Sequence, residues 1–299
     1  MGALRPFGLK AEIAIAMAAH GMSTPSRCRL DRWARCGRSG LKGRLLRLTR
    51  FQKMPPPPTW TDVLNGPTFV VNLAASDDRL AKVMPEIAAA GFCKCERWTG
   101  VDARVPGALE AGWARHGSPS LDSSDGEFVS YPGKQGCFLS HVDLWAHIID
   151  TGLPYATIFE DDVCFHSHWH ALAPQYFAAT PTDYHLLYLG SQIDYLMTGH
   201  ILRTPVFCTH AYIITQEGAR ICYDTLMKDP AGMRTIDCML IDHMKLDIFR
   251  SVRAPFQWYA WNGTGFLDPR ATSDPDWAKR NTGLVFQDVV WGSLVRPWP

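Results

Sequence analysis

Residues 155–163 read YATIFEDDV, an apolar run that ends in three consecutive carboxylates. Apolar residues resume directly after the acids, so the motif lies between two hydrophobic segments. The run YATIF is typical of a buried strand. Ligands of open α/β sheets bind beyond the carboxyl ends of the strands, so Glu160, Asp161 and Asp162 are predicted to lie at a ligand site. A solvated turn at the end of the strand is the alternative interpretation.

Three adjacent carboxylates favour binding of a cation. Like charges raise one another's pKa, and burying them is costly unless positive charge neutralises them. Side chains alternate along a strand, so Glu160 and Asp162 are expected to face one side and Asp161 the other. Carboxylate oxygens suit Mn²⁺ or Mg²⁺, and we expect Glu160 and Asp162 to bind one such ion.

Strand-like and helix-like segments alternate around this motif. Strands are predicted within residues 68–73, 92–98, 155–163, 183–190, 206–215 and 251–260. Helices are predicted from Ser76 to Gly91 and over residues 137–151, 216–227 and 235–246. Residues 103–133 are rich in Gly, Ser, Pro and Asp and are predicted to form a long loop. The alternation predicts one α/β domain with a mostly parallel central sheet flanked by helices.

The first 58 residues differ from the rest of the chain. They hold twelve Lys and Arg against two acids, leaving 18 basic and 27 acidic residues of the 30 and 29 in the whole chain. Four prolines, residues 55–58, separate this extension from a domain predicted at 59–299. The extension is interpreted as a disordered tail that contacts anionic membrane or nucleic acid, as a targeting peptide, or as sequence upstream of a true start at Met54. The sequence leaves these three interpretations open.

The nine cysteines show no disulfide framework, because their number is odd and their spacing irregular. They are predicted to be reduced thiols, which indicates a cytoplasmic protein, peripheral at most to a membrane. No segment is long and apolar enough to span a bilayer. A specific nucleic-acid partner is not expected, since basic residues concentrate in the extension without interleaved aromatic residues.

Six segments, in order, resemble glycosyltransferase family 25, which includes bacterial lipopolysaccharide and lipooligosaccharide galactosyltransferases and the collagen galactosyltransferases. The segments are FVVNLAASDDRLAKVM, RWTGVDAR, GCFLSHVDLWAHII, GLPYATIFEDDV, THAYIITQEGARIC and TIDCML, between residues 68 and 260. Each is weak alone, and their shared order carries the resemblance. The chain departs from the family pattern at Lys134 and Gln135 and has no confident counterpart after Trp261.

The resemblance implies a GT-A-like fold and an inverting transfer of a hexose, with galactose expected, from a UDP-sugar to a hydroxyl. The acceptor would be a glycan, a glycolipid or a hydroxylated protein side chain. A metal at Glu160 and Asp162 would neutralise the diphosphate leaving group. Inversion needs a base for the acceptor hydroxyl, and Asp237 is the first candidate and Asp161 the second. His210 or His243 would complete the metal shell.

Five residues are predicted to contact the nucleotide-sugar donor: Asn72, Arg79, Gln135, Ser140 and His141. For Arg79 the alternative is a surface ion pair with Asp77 or Asp78. Ser140 and His141 are expected in the first turn of a helix, where backbone N–H groups bind anions. The alternative for Ser140 is a capping role.

Two other functions remain open from the sequence. A metal-dependent phosphohydrolase or phosphotransferase would use the same acids. A non-catalytic carbohydrate-binding protein would use some of the eleven Trp residues as stacking surfaces.

Overall fold

The computed structural model describes residues 57–117, 128, 131–193, 198–229, 233–250, 256–263 and 281–287. The helices are α1 (Trp60–Leu64), α2 (Asp77–Ala89), α3 (Ala108–Arg115), α4 (Pro132–Thr151), α5 (Trp169–Ala179), α6 (Gln216–Met227) and α7 (Ile236–Arg250). The strands are β1 (Thr68–Leu73), β2 (Cys95–Gly100), β3 (Tyr155–Glu160), β4 (Val163–Phe165), β5 (Leu186–Gln192), β6 (Ile201–Leu202), β7 (Phe207–Thr215), β8 (Trp258–Trp261), β9 (Asn281–Gly283) and β10 (Val285–Gln287). Except for Pro57 and Pro58, the predicted basic extension lies outside the described residues.

The central sheet has the order β2-β1-β3-β7-β5-β8-β6, and β9 also pairs with β5. Strand β1 is parallel to β2 and β3, and β5 is parallel to β8. Strand β7 is antiparallel to both β3 and β5. The predicted α/β class is confirmed, but the sheet is mixed rather than mostly parallel. The cause of the error is that β5 and β7 are buried on both faces, which gives them the continuous apolar pattern typical of parallel strands.

The unit β1–α2–β2 forms one edge of the sheet. Helix α2 begins after Ser76 as predicted, although the Ser76 side chain makes no capping hydrogen bond. Its buried Val83 and Ile87 lie one turn apart and pack beneath the sheet. The chain leaves the helix through Gly91, whose φ of +101° suits a residue without Cβ.

The region predicted as one long loop, residues 103–133, contains helix α3. This helix begins after Gly107, which has a φ of +81°, and buries Trp113 against Phe138 with ring centroids 5.5 Å apart. Tertiary packing of Trp113 therefore stabilises a helix whose own sequence pattern is weak. Helix α4 begins at Pro132, a favoured first helical residue, rather than at Cys137. Residues 118–127 of the predicted loop lie outside the described part.

The acidic motif lies where β3 ends. Strand β3 stops at Glu160, Asp161 and Asp162 form a turn, and β4 then pairs antiparallel with β10 in a separate two-stranded sheet. The predicted alternation of the three acids on a strand is thus wrong beyond Glu160. A turn, rather than a continued strand, sets the directions of Asp161 and Asp162.

Two hydrophobic clusters form the core, one on each face of the central sheet. Successive residues of β3 show the division, because Ile158 belongs to one cluster and Phe159 to the other. The seven cysteines that the structure describes are free thiols. In the described part of the chain, no helix combines the length and apolarity needed to cross a membrane.

Candidate functional site

A cavity of about 310 Å³ opens at the carboxyl ends of β1, β2 and β3. These strands are mutually parallel, so residues that end or follow them meet at one edge of the sheet. Asn72 comes from β1, Asp102 follows β2, and Glu160 ends β3. One side of α4, from Gly136 to His141, closes the remaining wall. The cavity therefore gathers residues from four separate segments.

Arg79 joins the first helix to the acidic turn. One of its terminal nitrogens lies 2.6 Å from Asp161 Oδ1 and 3.3 Å from Asp162 Oδ2. Asn72 Nδ2 donates a 2.6 Å hydrogen bond to the second oxygen of Asp161. Arg79 is 9% exposed, so this is a buried ion pair and not the surface pair with Asp77 or Asp78 that was the alternative. Burial nevertheless raises the pKa of Asp161 above its ordinary value.

Asp162 is the most deeply buried of the three acids. Its Oδ2 accepts a 3.0 Å hydrogen bond from Gln287 Nε2 of β10, while its Oδ1 is buried without a hydrogen-bond partner. Burial, followed by the negative charge of Glu160, raises the pKa of Asp162 to about 7. Arg79 only partly opposes this effect. The ionised form of Asp162 is therefore short of positive charge.

Glu160 faces β7 and α4. Its Oε1 accepts a 3.0 Å hydrogen bond from Thr209 Oγ1 and lies 3.4 Å from His141 Nε2. Burial works to raise the pKa of Glu160, but His141, then His210 and Thr209, outweigh it and hold the pKa below its ordinary value. The ionised form of Glu160 is therefore stabilised by its neighbours.

A buried hydrogen-bonded chain holds His141 in place. Trp145 Nε1 donates to Tyr212 Oη over 3.0 Å, and Tyr212 Oη lies 2.8 Å from His141 Nδ1. The His141 side chain is fully buried, and its Nε2 has no hydrogen-bond partner. Tyr212 and Trp145 thus orient the imidazole ring so that its Nε2 lies beside Glu160.

Ser140 lies in the middle of α4 and not in a first turn as predicted, because the helix starts eight residues earlier, at Pro132. Its Oγ donates to Gly136 O over 2.6 Å and accepts from the backbone N–H of Val101 over 2.8 Å. Gly136 has no room for a side chain, since an added Cβ would lie 2.5 Å from Val101 O. The Ser140 side chain therefore links α4 to the loop after β2 by hydrogen bonds at the wall of the cavity.

Three other predicted site residues, Gln135, His210 and His243, make contacts elsewhere. Gln135 Nε2 donates to the carbonyl of Phe128 over 3.4 Å. His210 is fully buried, and its Nε2 lies 3.1 Å from Val285 O. His243 packs against the ring of Phe256. None of the three lines the cavity described here.

Asp237, the first candidate base, lies in the first turn of α7. Its two oxygens accept hydrogen bonds from the backbone N–H groups of Cys208 and Cys238, over 3.2 and 2.8 Å. Cys208 has a φ of +71°, a strained conformation for a residue with a side chain. Asp237 therefore holds an irregular end of β7 and does not line the cavity, whereas Asp161 does.

The fold places one predicted metal ligand, Glu160, beside two residues that were not predicted as metal ligands. Among the described residues, a group whose candidate ligand atoms lie within 4.8 Å of one another consists of Cys137, His141 and Glu160. Cys137 was not predicted as a site residue, although it lies one helical turn before His141. That spacing was the available signal for it.

Gln287 and Thr209 were not predicted as site residues. Gln287 lies 125 residues along the chain from its hydrogen-bond partner Asp162, and no local sequence pattern indicates such a contact. Thr209 precedes a candidate ligand, His210, in a strand that was predicted.

Asp102 and Arg104 line the cavity as an ion pair, with Arg104 Nε 2.8 Å from Asp102 Oδ1. Both lie in the segment RWTGVDAR, which carried part of the family resemblance.

The residues at the acidic turn fit a divalent cation. Three carboxylates there share one guanidinium, that of Arg79, and Asp162 Oδ1 is a buried oxygen with no partner. Two unbalanced negative charges and an unpartnered carboxylate oxygen match the charge and the ligand type that Mn²⁺ and Mg²⁺ prefer.

The mixed sheet flanked by helices defines a protein of the α/β class, and the acidic cavity lies where such sheets bind ligands, at the carboxyl ends of parallel strands. The comparison with known protein families indicates a narrower class than the fold does. Residues 65–201 match the model described as "Glycosyltransferase family 25 (LPS biosynthesis protein)". Residues 65–201 are thus similar to glycosyltransferase family 25, as the sequence segments had indicated.

Several curated proteins share parts of the chain. "Inactive glycosyltransferase 25 family member 3" of Homo sapiens is 29% identical over 135 residues, 41% of this chain and 21% of that protein. "Procollagen galactosyltransferase 1" of Danio rerio is 27% identical over 128 residues, 41% of this chain and 21% of that protein. "Lacto-N-neotetraose biosynthesis glycosyltransferase LgtB" of Neisseria meningitidis serogroup B is 57% identical over 30 residues, 10% of this chain and 11% of that protein.

The matches thus span about a fifth or less of these relatives. A solved glycosyltransferase "involved in the glycosylation of the major capsid of PBCV-1" has a TM-score of 0.38 at 7% identity, over 75% of this chain and 92% of that chain.

Proposed function

We propose that this protein is an inverting hexosyltransferase that moves galactose from UDP-galactose to a hydroxyl group. The acceptor is a glycan, a glycolipid or a hydroxylated protein side chain. The observation that carries the proposal is the acidic cavity formed by Asn72, Arg79 and the three acids of residues 160–162, which lies within the family 25 segment. The name of the zebrafish relative supports galactose as the sugar.

The charge of the cavity implies how a donor would bind. A nucleoside diphosphate is anionic, and a site with three carboxylates and one guanidinium repels it. Mn²⁺ or Mg²⁺ held by Glu160 and Asp162 would reverse that repulsion and stabilise the charge on the departing diphosphate. Arg79 keeps Asp161 and Asp162 fixed, and Thr209 and His141 keep Glu160 ionised. These residues therefore prepare the acids before the donor arrives.

Inversion in one step needs a base beside the acceptor hydroxyl. We propose Asp161 ahead of Asp237, because Asp161 lines the cavity and Asp237 does not. The raised pKa of Asp161 suits a group that takes up a proton. Replacing Asp161 by Asn should reduce turnover by at least about 100-fold, whereas Asp237→Asn should reduce it less.

The donor contacts follow from the same cavity. Asn72, Arg79 and His141 lie on its wall, and Ser140 holds the loop whose Asp102 also lines it. We propose that these residues position the nucleotide and the diphosphate, and that Gln135 contributes through the start of α4. The protein would act in the cytoplasm, with the basic extension in contact with anionic membrane.

Release of UDP from a panel of UDP-sugars tests this function. Purified full-length chain is incubated with each donor and Mn²⁺, with and without sugar acceptors, and the anomeric configuration of the product is read by NMR. The expected result is turnover highest with UDP-galactose, giving a β-linked product from the α-linked donor. A retained configuration would contradict inversion, and no turnover with any donor would contradict the transferase function.

A second candidate function is sugar binding without catalysis. The human relative is named as inactive, so membership of this family does not by itself require activity. Such a protein would bind a sugar ligand equally well after Asp162→Ala. The proposed transferase would instead lose metal-dependent donor binding.

A further inference from the structure

Cys137, His141 and Glu160 form a cluster on the wall of the cavity that the proposed transfer reaction does not fully use. One atom from each residue, Sγ, a ring nitrogen and a carboxylate oxygen, lies within 4.8 Å of the others. Cys137 and His141 are four residues apart on α4 and so share a helix face, while Glu160 arrives from β3. Two rigid elements therefore hold the three groups together.

The imidazole of His141 is arranged as a metal ligand would be. Its Nε2 is fully buried, 3.4 Å from Glu160 Oε1, and has no hydrogen-bond partner. Its Nδ1 faces Tyr212 Oη at 2.8 Å, and Tyr212 in turn accepts from Trp145. Metal-bound histidines usually donate their other ring N–H to such an oxygen, which fixes the ring and leaves the second nitrogen free for the ion.

The local field favours a cation at the same place. The carboxylates of Glu160, Asp237 and Asp162 place negative charge around the Cys137 side chain. That charge attracts a positive ion, and the thiol proton would pass to solvent when an ion binds.

We propose that Cys137, His141 and Glu160 bind Zn²⁺, with cavity water as a further ligand. A thiolate and an imidazole select zinc over Mn²⁺ and Mg²⁺, which prefer oxygen ligands throughout. The site therefore differs from the Glu160–Asp162 pair assigned to the donor-site metal, although the two share Glu160. Since one carboxylate serves both, zinc at this site excludes Mn²⁺ from its neighbour and inhibits transfer.

Cobalt(II) provides a direct probe, because a cysteine thiolate bound to Co²⁺ absorbs in the near-ultraviolet. Full-length chain freed of metal is titrated with Co²⁺, followed by Zn²⁺. The expected result is a thiolate–cobalt band at one equivalent, which Zn²⁺ abolishes. Cys137→Ser should weaken this binding at least about tenfold, since even loss of an outer partner of a ligand costs 10–100-fold. Cys93→Ser, at an exposed cysteine, is the matched control and should keep the band.

Alkylation of the unmodified chain tests the site without any variant. Thiol modification is mapped by mass spectrometry with and without Zn²⁺, and protection is expected at Cys137 but not at Cys93. Absence of a cobalt band, a band that survives Cys137→Ser, or equal alkylation of Cys137 with and without Zn²⁺ would each overturn the proposal. These measurements do not depend on turnover, so they remain decisive if the transferase function fails.

Discussion

Asp162 is predicted to destabilise the metal-free protein at neutral and alkaline pH. Its folded pKa of about 7 lies above the ordinary value of 3.8 because the carboxyl is buried beside Glu160 and Asp161. Between these two values the folded state holds a proton that the unfolded state has lost. The free energy of unfolding therefore falls as pH rises from about 4 to 7 and then levels off. Replacing Asp162 by Asn removes this penalty.

The magnitude follows from the shift. A change of roughly three units at about 1.4 kcal/mol per unit gives at most about 4 kcal/mol at pH 8. Gln287 donates to Asp162 Oδ2, and an amide oxygen can accept the same hydrogen bond. After allowance for relaxation around the site, we expect Asp162→Asn to raise stability by about 2 kcal/mol. That corresponds to a rise in Tm of at least about 4 °C for a domain of this size.

The assay is thermal unfolding in EDTA at pH 4.5, 6 and 8. The variant should gain stability over the wild type progressively with pH, with little difference at pH 4.5. Asp224→Asn is the matched control, because Asp224 pairs with Lys228 on the exposed surface of α6 and its loss should change stability by less than about 0.5 kcal/mol. A variant less stable than the wild type at pH 8, or a difference that is constant with pH, would refute the reasoning.

Three further predictions concern the surroundings of the acids. Arg79→Met leaves two buried carboxylates without their cation and should cost about 3–5 kcal/mol in urea unfolding. Arg79→Lys keeps the positive charge and should cost less; equal losses would contradict a role for that charge. Tyr212→Phe leaves a ring nitrogen of His141 and the indole N–H of Trp145 without their hydrogen-bond partner, and urea unfolding should show a loss of stability of about 2–4 kcal/mol. Unchanged stability would contradict a role for these buried hydrogen bonds. Gly190→Ala would place a Cβ 1.7 Å from a backbone oxygen of β10, so we expect a loss of stability of about 3 kcal/mol or more. Unchanged urea unfolding would show that β5 and β10 do not pass this closely.

Short-range patterns predicted much of the fold. Helix α6 covers the residues that were predicted, 216–227, because its apolar period and its N-cap Thr215 are both local. Strand β3 and the acids at its end were also located correctly, since a buried strand followed by charge is visible in a few residues. Local information was sufficient wherever one segment determines its own structure.

Contacts between distant segments explain the failures. Strand β7 lies between β3 and β5 and runs antiparallel to both, and no periodicity reports strand direction. Helix α3 depends on burial of Trp113 against α4, which is a tertiary contact. Gln287 reaches Asp162 only because β10 pairs with β4. The acids were predictable, but the groups that set their pKa values were not.

Metal-dependent release of UDP is the direct test of a donor site at the acidic turn. Wild type, Asp162→Ala and Asp224→Ala are compared with UDP-galactose in Mn²⁺ and in EDTA, each variant first shown to be folded. We expect turnover by wild type and Asp224→Ala in Mn²⁺, none in EDTA, and a loss of at least about 100-fold in Asp162→Ala. Turnover that persists in EDTA or in Asp162→Ala would contradict a donor site built on the acidic turn.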